Sequence, residues 1–230
     1  MSDMTAPRLP TALLRDPIAH RALHDRAKGR PENSRAAIRA AIKAGYGIEI
    51  DIQLSRDGQA MVFHDYDLAR LTSTSGAIQQ RSRADLAALP LLGGDGEGIP
   101  TLAEVLALVS GRAPLLIELK DQHGQMGVTD GRLERAVAQD LAEYAGPAAV
   151  MSFNPHMVIA MADLAPQIAR GIVTEAYAYD DASWGTLSAA IRDRLRAIPD
   201  YAAARASFIS HHWRDLTRAR VAELKAEGAN

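Results

Sequence analysis

The chain has 230 residues, 47% of them hydrophobic and 23% charged, enough to bury one large core. A formal net charge of −2 leaves no basic footprint for nucleic acid or an anionic membrane surface. The absence of cysteine excludes a disulfide framework, thiolate metal sites and a thiol nucleophile.

In chain order, the N-terminal stretch MSDMTAPRLPTALLRDP carries Arg8, Arg15 and Asp16 and no apolar run of the signal-peptide type. No stretch approaches the roughly 18 apolar residues of a membrane-crossing helix, so a cytoplasmic protein without membrane insertion is expected. Short apolar runs at 18–20, 48–53, 61–64, 115–120, 149–153, 169–174 and 208–211 predict seven β-strands. Between the first two, PENSRAAIRAAIKAG offers Asn33 or Ser34 as N-cap, apolar positions at Ile38, Ala41 and Ile42, and Gly45 as a stop. Residues 66–100 form the longest connection, expected to lie over the active-site face and to hold one short helix beginning after Ser82. TLAEVLALVSG then opens with a capping box of Thr101 and Glu104. DGRLERAVAQDLAEYAG is amphipathic, NPHMVIAMADLA sets Asn154 as cap with Pro155 at the first helical position, and LTRARVAELKAEG closes the chain.

Strands alternating with helices predict a parallel sheet, either doubly wound or closed into a (β/α) barrel. The polar residues favour the barrel. In 48–53, Ile48, Ile50 and Ile52 share one face and Glu49, Asp51 and Gln53 the other. In 115–120, Leu115, Ile117 and Leu119 oppose Leu116, Glu118 and Lys120. An open parallel sheet covered by helices would be apolar on both faces. A barrel strand packs helices outside and opens inward onto a site at its C-terminal end. The expected fold class is therefore α/β, a TIM-type (β/α) barrel forming a single catalytic domain over 1–230.

Glu49, Asp51 and Glu118 would converge inside such a barrel. Like charges a few ångströms apart do not all stay ionised unaided. Either a divalent cation compensates them, or Arg21, Lys120 and other basic groups do so without metal. An all-oxygen donor set selects a hard ion, Mg²⁺ or Ca²⁺. His20 ends the first strand and His64 the third, which makes them candidates for an acid–base pair. Arg21 and Lys120 supply cationic donors suited to a phosphate. Together these groups point to metal-assisted cleavage of a phosphodiester. His24 and His123 are read as solvated loop residues, and one of His211 and His212, beside Trp213, as a residue of the mouth. Trp184 is either a loop anchor or a ring stacked on a cationic headgroup.

The runs AHRALHDRAKGRPENSRAAIRAAIKAGYGIEIDIQLSRDGQAMVFHDYDLARLT, IPTLAEVLALVSGRAPLLIELK and VMSFNP resemble the glycerophosphodiester phosphodiesterases. The His-Arg pair, Pro-Glu-Asn, Glu-x-Asp, His-Asp, Pro-Thr-Leu and Glu-x-Lys follow one another in order. The resemblance implies a TIM barrel, one divalent cation, and hydrolysis of a small glycerophosphodiester to sn-glycerol 3-phosphate and an alcohol. It places His20 and His64 at acid–base positions, Glu49, Asp51 and Glu118 at metal positions, and Arg21 and Lys120 on the phosphate. Glu32 falls on an acid beside His20 and Arg21, an orienting partner. It also suggests attack by the glycerol's own hydroxyl through a cyclic phosphate. Two alternatives keep the barrel. One is a phospholipase D-like lyase acting on lysophospholipids, for which no secretion signal or apolar docking patch is found. The other is a non-catalytic binding protein. The chain departs from the family at Ala22, where glycine is usual, at Ser34, where threonine is commoner, and in its missing final strand. Seven strands leave a (β/α)₈ barrel one short. The natural chain is therefore expected to continue beyond Asn230, or a neighbouring copy to cover the edge beside His20.

Overall fold

Residues 6–230 are described by a computed structural model, in which the chain divides into two units built on the same strand–helix alternation. Residues 1–5, part of the stretch read for a signal peptide, lie outside the described residues. No helix among the described residues is long and apolar enough to cross a membrane.

The first unit comprises Pro10–Lys120 and Gly131–Ala148. Its elements are α1 (Thr11–Arg15), β1 (Ile18–Ala19), α2 (Arg35–Ala44), β2 (Gly47–Leu54), β3 (Ala60–Val62), α3 (Arg83–Ala87), α4 (Leu102–Val109), β4 (Leu115–Leu119) and α5 (Arg132–Leu141). β1, β2 and β4 run parallel, with Ile18 opposite Gly47 and Asp51 opposite Glu118. β2 is buried on both faces, so its isoleucines and its acids are all withdrawn from solvent. The Ser34 hydroxyl, rather than Asn33, caps α2 by accepting from the Ala37 N–H at 3.1 Å. Gly45, at φ +73°, ends that helix in the left-handed conformation that glycine adopts without penalty. Reciprocal capping boxes open α3, through Ser82 and Asp85, and α4, through Thr101 and Glu104.

The run expected as a third parallel strand is instead antiparallel. β3 folds back on β2 with Ile52 opposite Val62 and Leu54 opposite Ala60. The five residues between them cannot make a parallel crossover, which needs a dozen or more. Ser55 N–H donates to the Gln59 carbonyl at 3.0 Å, and Gly58 takes φ +80° in the turn. In this unit the described residues thus carry three parallel strands and one hairpin arm.

Residues 66–100 carry a core of their own. Leu68, Leu71, Ile78, Leu86, Leu91 and Ile99 pack with Met61 and Phe63 of the hairpin. Each such side chain contributes about 1.5–3 kcal/mol on burial, which ties the segment down. Gly98 lies so close to the Ala87 carbonyl that a Cβ would come within 2.0 Å of its oxygen.

The second unit comprises Ala149–Asn230, Asp121–Asp130 and, of the described N-terminal residues, 6–9. It carries β5 (Ala148–Ser152), α6 (Pro155–Leu164), β6 (Ala169–Thr174), α7 (Ala189–Ala197), β7 (Phe208–His211) and α8 (Ala219–Ala226). β5, β6 and β7 are parallel, with Ala149 opposite Ala169 and Gly171 opposite Phe208. Asn154 caps α6 by accepting from the His156 N–H at 3.0 Å, with Pro155 at the first helical position. Its amide donates to Asp121 Oδ1 at 2.7 Å and to the Gly127 carbonyl at 2.8 Å. Trp184 is a packed loop anchor, its ring 5.2 Å from Phe153 and 5.0 Å from Tyr177. His211 is buried and bonded to the Thr174 hydroxyl at 2.6 Å and to Asp215 at 3.1 Å, so it ties β6 to β7.

Candidate active site

Parallel pairing of β2 with β4 sets Asp51 beside Glu118, and the two-residue period of a strand puts Glu49 on the same face. One oxygen from each of the three carboxylates lies within 4.8 Å of the others, and all three residues are buried. Glu49 Oε2 accepts the Arg21 N–H at 2.7 Å, while its Oε1 is buried with no hydrogen-bond partner. Burial, and then the charge of Asp51, push the Glu49 carboxyl up to about 8. Burial raises Glu118 too, although Lys120 opposes it.

Basic groups answer part of this charge. Lys120 Nζ donates to Glu118 Oε1 at 2.6 Å and lies 3.4 Å from Asp51 Oδ1. Burial alone would lower Lys120, but Glu118 and Asp51 outweigh it and hold the ammonium above its ordinary range. Arg21 Nε stands 3.6 Å from Asp51 Oδ2, too far for a hydrogen bond. The metal-free compensation considered from sequence is therefore realised for Asp51 and Glu118 and leaves Glu49 Oε1 unanswered.

Arg21 and Ala22 follow β1 in consecutive left-handed conformations, φ +54° and +62°. This turn aims the Arg21 N–H at the Glu49 side chain and the Ala22 N–H at the Glu49 carbonyl, 2.9 Å away. Asn33, the alternative cap, works elsewhere. Its amide donates to Asp51 Oδ2 at 2.9 Å, its Oδ1 accepts the Asp51 N–H at 3.3 Å, and it takes φ +59° to do so.

His20 is exposed to solvent over part of its surface. Partial burial, and then the charge of Arg21, hold the imidazole below its ordinary range against the pull of Asp51, and His64 and His24 add to the effect. The hairpin carries His64 back to the level of Asp51. Phe63 N–H donates to the Asp51 carbonyl at 2.9 Å, and the Gln53 amide donates to the His64 carbonyl at 3.0 Å. His64 Nδ1 lies 2.6 Å from Asp65 Oδ1. Burial would raise Asp65, but hydrogen bonds from His64 and Arg70 keep it well below the usual carboxylate range. An ionised Asp65 accepts only, so Nδ1 carries the proton in this pair. Glu32 Oε1 accepts from Arg21 Nη1 at 3.0 Å, and Arg70 and Arg21 together hold Glu32 low against the effect of its burial.

Three carboxylates with a buried, unpartnered oxygen suit a hard divalent cation. Oxygens on opposite sides of such an ion stand roughly 4–5 Å apart, the spread seen among these ligand atoms. Residues 20–230 match the profile of the glycerophosphoryl diester phosphodiesterase family. The chain belongs to that family. It is 30% identical over 223 residues to the Bacillus subtilis protein named "Putative glycerophosphodiester phosphodiesterase YhdW", covering 93% of this chain and 82% of that one. A Caldanaerobacter subterraneus glycerophosphodiester phosphodiesterase is 31% identical over 68% of this chain and 65% of its own length. Among solved structures, an Oleispira antarctica phosphodiesterase in complex with the product sn-glycerol-3-phosphate superposes with a TM-score of 0.74. It is 27% identical, over 95% of this chain and 84% of that one. The fold class follows, and the alternating parallel strands and helices are those of the TIM-type (β/α) barrel.

The structure of this phosphodiesterase-family chain brings Arg21, Glu32, Glu49, Asp51, Glu118 and Lys120 into contact, with His20 and His64 close enough to act on their charges. Sequence reasoning missed Asn33, Asp65 and Arg70. The His-Asp dipeptide was visible, but nothing in its spacing says that Asp65 turns back onto His64. Arg70 lies in a connection without periodicity, and its partners are 5 and 38 residues away.

Proposed function

We propose that this chain hydrolyses glycerophosphodiesters to sn-glycerol 3-phosphate and an alcohol, with one divalent cation, Mg²⁺ or Ca²⁺, held by Glu49, Asp51 and Glu118. The observation that carries the reading is the buried Glu49 oxygen without a partner, in a carboxylate cluster flanked by two histidines and two cations. The product bound to the Oleispira relative supports the same substrate class. When bound, the ion supplies positive charge for the phosphate oxygens and for an attacking hydroxyl.

The remaining roles fall to the protein's own groups. Arg21 presents a buried Nε without a hydrogen-bond acceptor, and Lys120 an ammonium kept charged by two acids, so both suit phosphate oxygens. His20, held below its ordinary range, is neutral near pH 7 and accepts the proton of the attacking hydroxyl. Asp65 fixes the tautomer and orientation of His64, leaving Nε2 to pass a proton to the departing alkoxide. If the glycerol hydroxyl attacks first, the P–O bond to the alcohol breaks as the ring closes. Water then opens the cyclic phosphate with the two histidines in exchanged roles.

Release of sn-glycerol 3-phosphate from a panel of glycerophosphodiesters, beside lysophosphatidylcholine and with or without chelator, tests this reading. Release should stop in chelator and return with Mg²⁺, Ca²⁺ or Mn²⁺. Full activity after exhaustive chelation would overturn the metal assignment. Turnover of lysophosphatidylcholine alone would move the chain to the lyase class.

A further inference from the structure

Arg70 comes from the 66–100 segment, outside the groups assigned to substrate or metal. It is set between Leu68 and Leu71, which are fully buried in that segment's apolar core. The Thr72 hydroxyl donates to the Leu68 carbonyl at 3.0 Å and closes the turn around it. The guanidinium uses two edges at once. Nε and Nη2 donate to the two oxygens of Asp65 at 2.6 and 2.9 Å. Nη1 and Nη2 donate to the two oxygens of Glu32 at 2.8 and 2.7 Å. Asp65 in turn holds His64, and Glu32 holds Arg21.

We infer that Arg70 is the positioning residue of this site, locking the histidine that exchanges protons and the arginine that receives phosphate into one rigid frame. The inference rests on the phosphodiesterase reading above and deepens it. The hydrogen bonds of Arg70 go to Asp65 and Glu32, and none of them to the carboxylates assigned to the metal. Arg70 acts through two carboxylates, each of which is otherwise held by one further bond, Asp65 by His64 and Glu32 by Arg21. A planar fork with five donors is the one side chain able to hold four carboxylate oxygens in a single plane. A lysine keeps the charge but is a point donor and fixes neither partner's orientation. The segment's apolar core then has a purpose beyond packing, because it fixes the height from which Arg70 reaches down. Its anchoring leucines are the mechanical base of the frame.

The geometry separates two effects. Freedom at Asp65 should blur the aim of His64 and lower kcat. Freedom at Glu32 should loosen Arg21 and raise KM. The experiment is steady-state hydrolysis of glycerophosphocholine by the metal-loaded full chain, comparing wild type, Arg70→Met, Arg70→Lys, Asp65→Asn, Glu32→Gln and the two doubles with Arg70→Met. Arg70→Met should lose about 10–100-fold in kcat/KM, with both parameters moving. Its kcat loss should all but vanish in the Asp65→Asn background, and its KM rise in the Glu32→Gln background. Arg70→Lys should recover little of either. If Arg70→Met does not fold, Arg70→Lys in the same two backgrounds answers the same question. Activity of Arg70→Met within twofold of wild type overturns the inference. So do losses that multiply fully with those of Asp65→Asn and Glu32→Gln, because a merely structural role would be blind to these partners. A wild type that releases no sn-glycerol 3-phosphate refutes the phosphodiesterase reading itself and takes the inference with it.

Discussion

Ala22 holds a backbone conformation that its side chain resists. At φ +62° an L-residue with a Cβ carries a penalty of about 1–2 kcal/mol, which glycine escapes. The residue stays there because its N–H is committed to the Glu49 carbonyl and its methyl is buried. Ala22→Gly should therefore raise stability by about 0.5–1 kcal/mol once the greater freedom of glycine in the unfolded chain is subtracted, read as a higher denaturation midpoint. Glu49 carries the opposite kind of stress, a charge buried beside another. Its folded-state value of about 8 lies above its unfolded one, so the folded state binds the extra proton. Its share of stability is thus full at low pH and lost as pH rises through 8. In chelator, the melting temperature of the wild type should fall more steeply between about pH 5 and pH 8 than that of Glu49→Gln. Parallel curves would refute the assignment of this charge.

The β2–β3 hairpin is the element that makes the site. A parallel strand would have left its C-terminal histidine at a strand end a crossover away from Asp51. The Ser55–Gln59 turn instead returns the chain beside β2, so that Phe63 bonds Asp51 and His64 follows directly. Asp65, the next residue, then meets both His64 and Arg70. Because these partners hold its carboxyl well below the unfolded value, the stability it contributes is present above about pH 4 and lost as pH falls toward the folded value. Asp65→Asn should be less stable than wild type at neutral pH and should lose less on acidification from about pH 5 to pH 3. Chemical denaturation at several pH values measures the difference. Equal acid slopes would mean that Asp65 is not held by these bonds.

For the molecule as a whole, the proposed ion in a carboxylate cluster with one unanswered oxygen would couple binding to folding. An ion that binds the folded chain and not the unfolded one stabilises it by mass action, about 2.7 kcal/mol at a hundredfold excess over Kd. Millimolar Mg²⁺, Ca²⁺ or Mn²⁺ should accordingly raise the melting temperature of the chelated protein. Glu118→Gln and Asp51→Asn should shrink that rise, and monovalent salt at equal ionic strength should not reproduce it. Differential scanning fluorimetry decides the matter without any assay of turnover. No shift with any of the three ions would remove the metal from the cluster.

The sequence by itself determined what depends on local spacing. The strand–helix alternation, the caps at Ser82, Thr101 and Asn154, and the shared face of Glu49 and Asp51 follow from periods of two and 3.6 and from side chains that bond their own backbone. The short helix after Ser82 was legible for the same reason. The direction of β3 was misjudged, because an apolar run ending in histidine looks alike in either direction, although the five residues before it, with Asp57-Gly58 among them, are too few for a crossover. Only the tertiary structure decided which cations meet which acids. Lys120 turns back to Glu118 and Asp51, Asn33 leaves the helix cap to serve Asp51, and Arg70 bridges Glu32 and Asp65. Burial removes the water that would otherwise satisfy each charge, so these groups settle on whichever partner the packed backbone brings within about 3 Å. That choice is made by strand register and loop packing across tens of residues, and no local pattern records it.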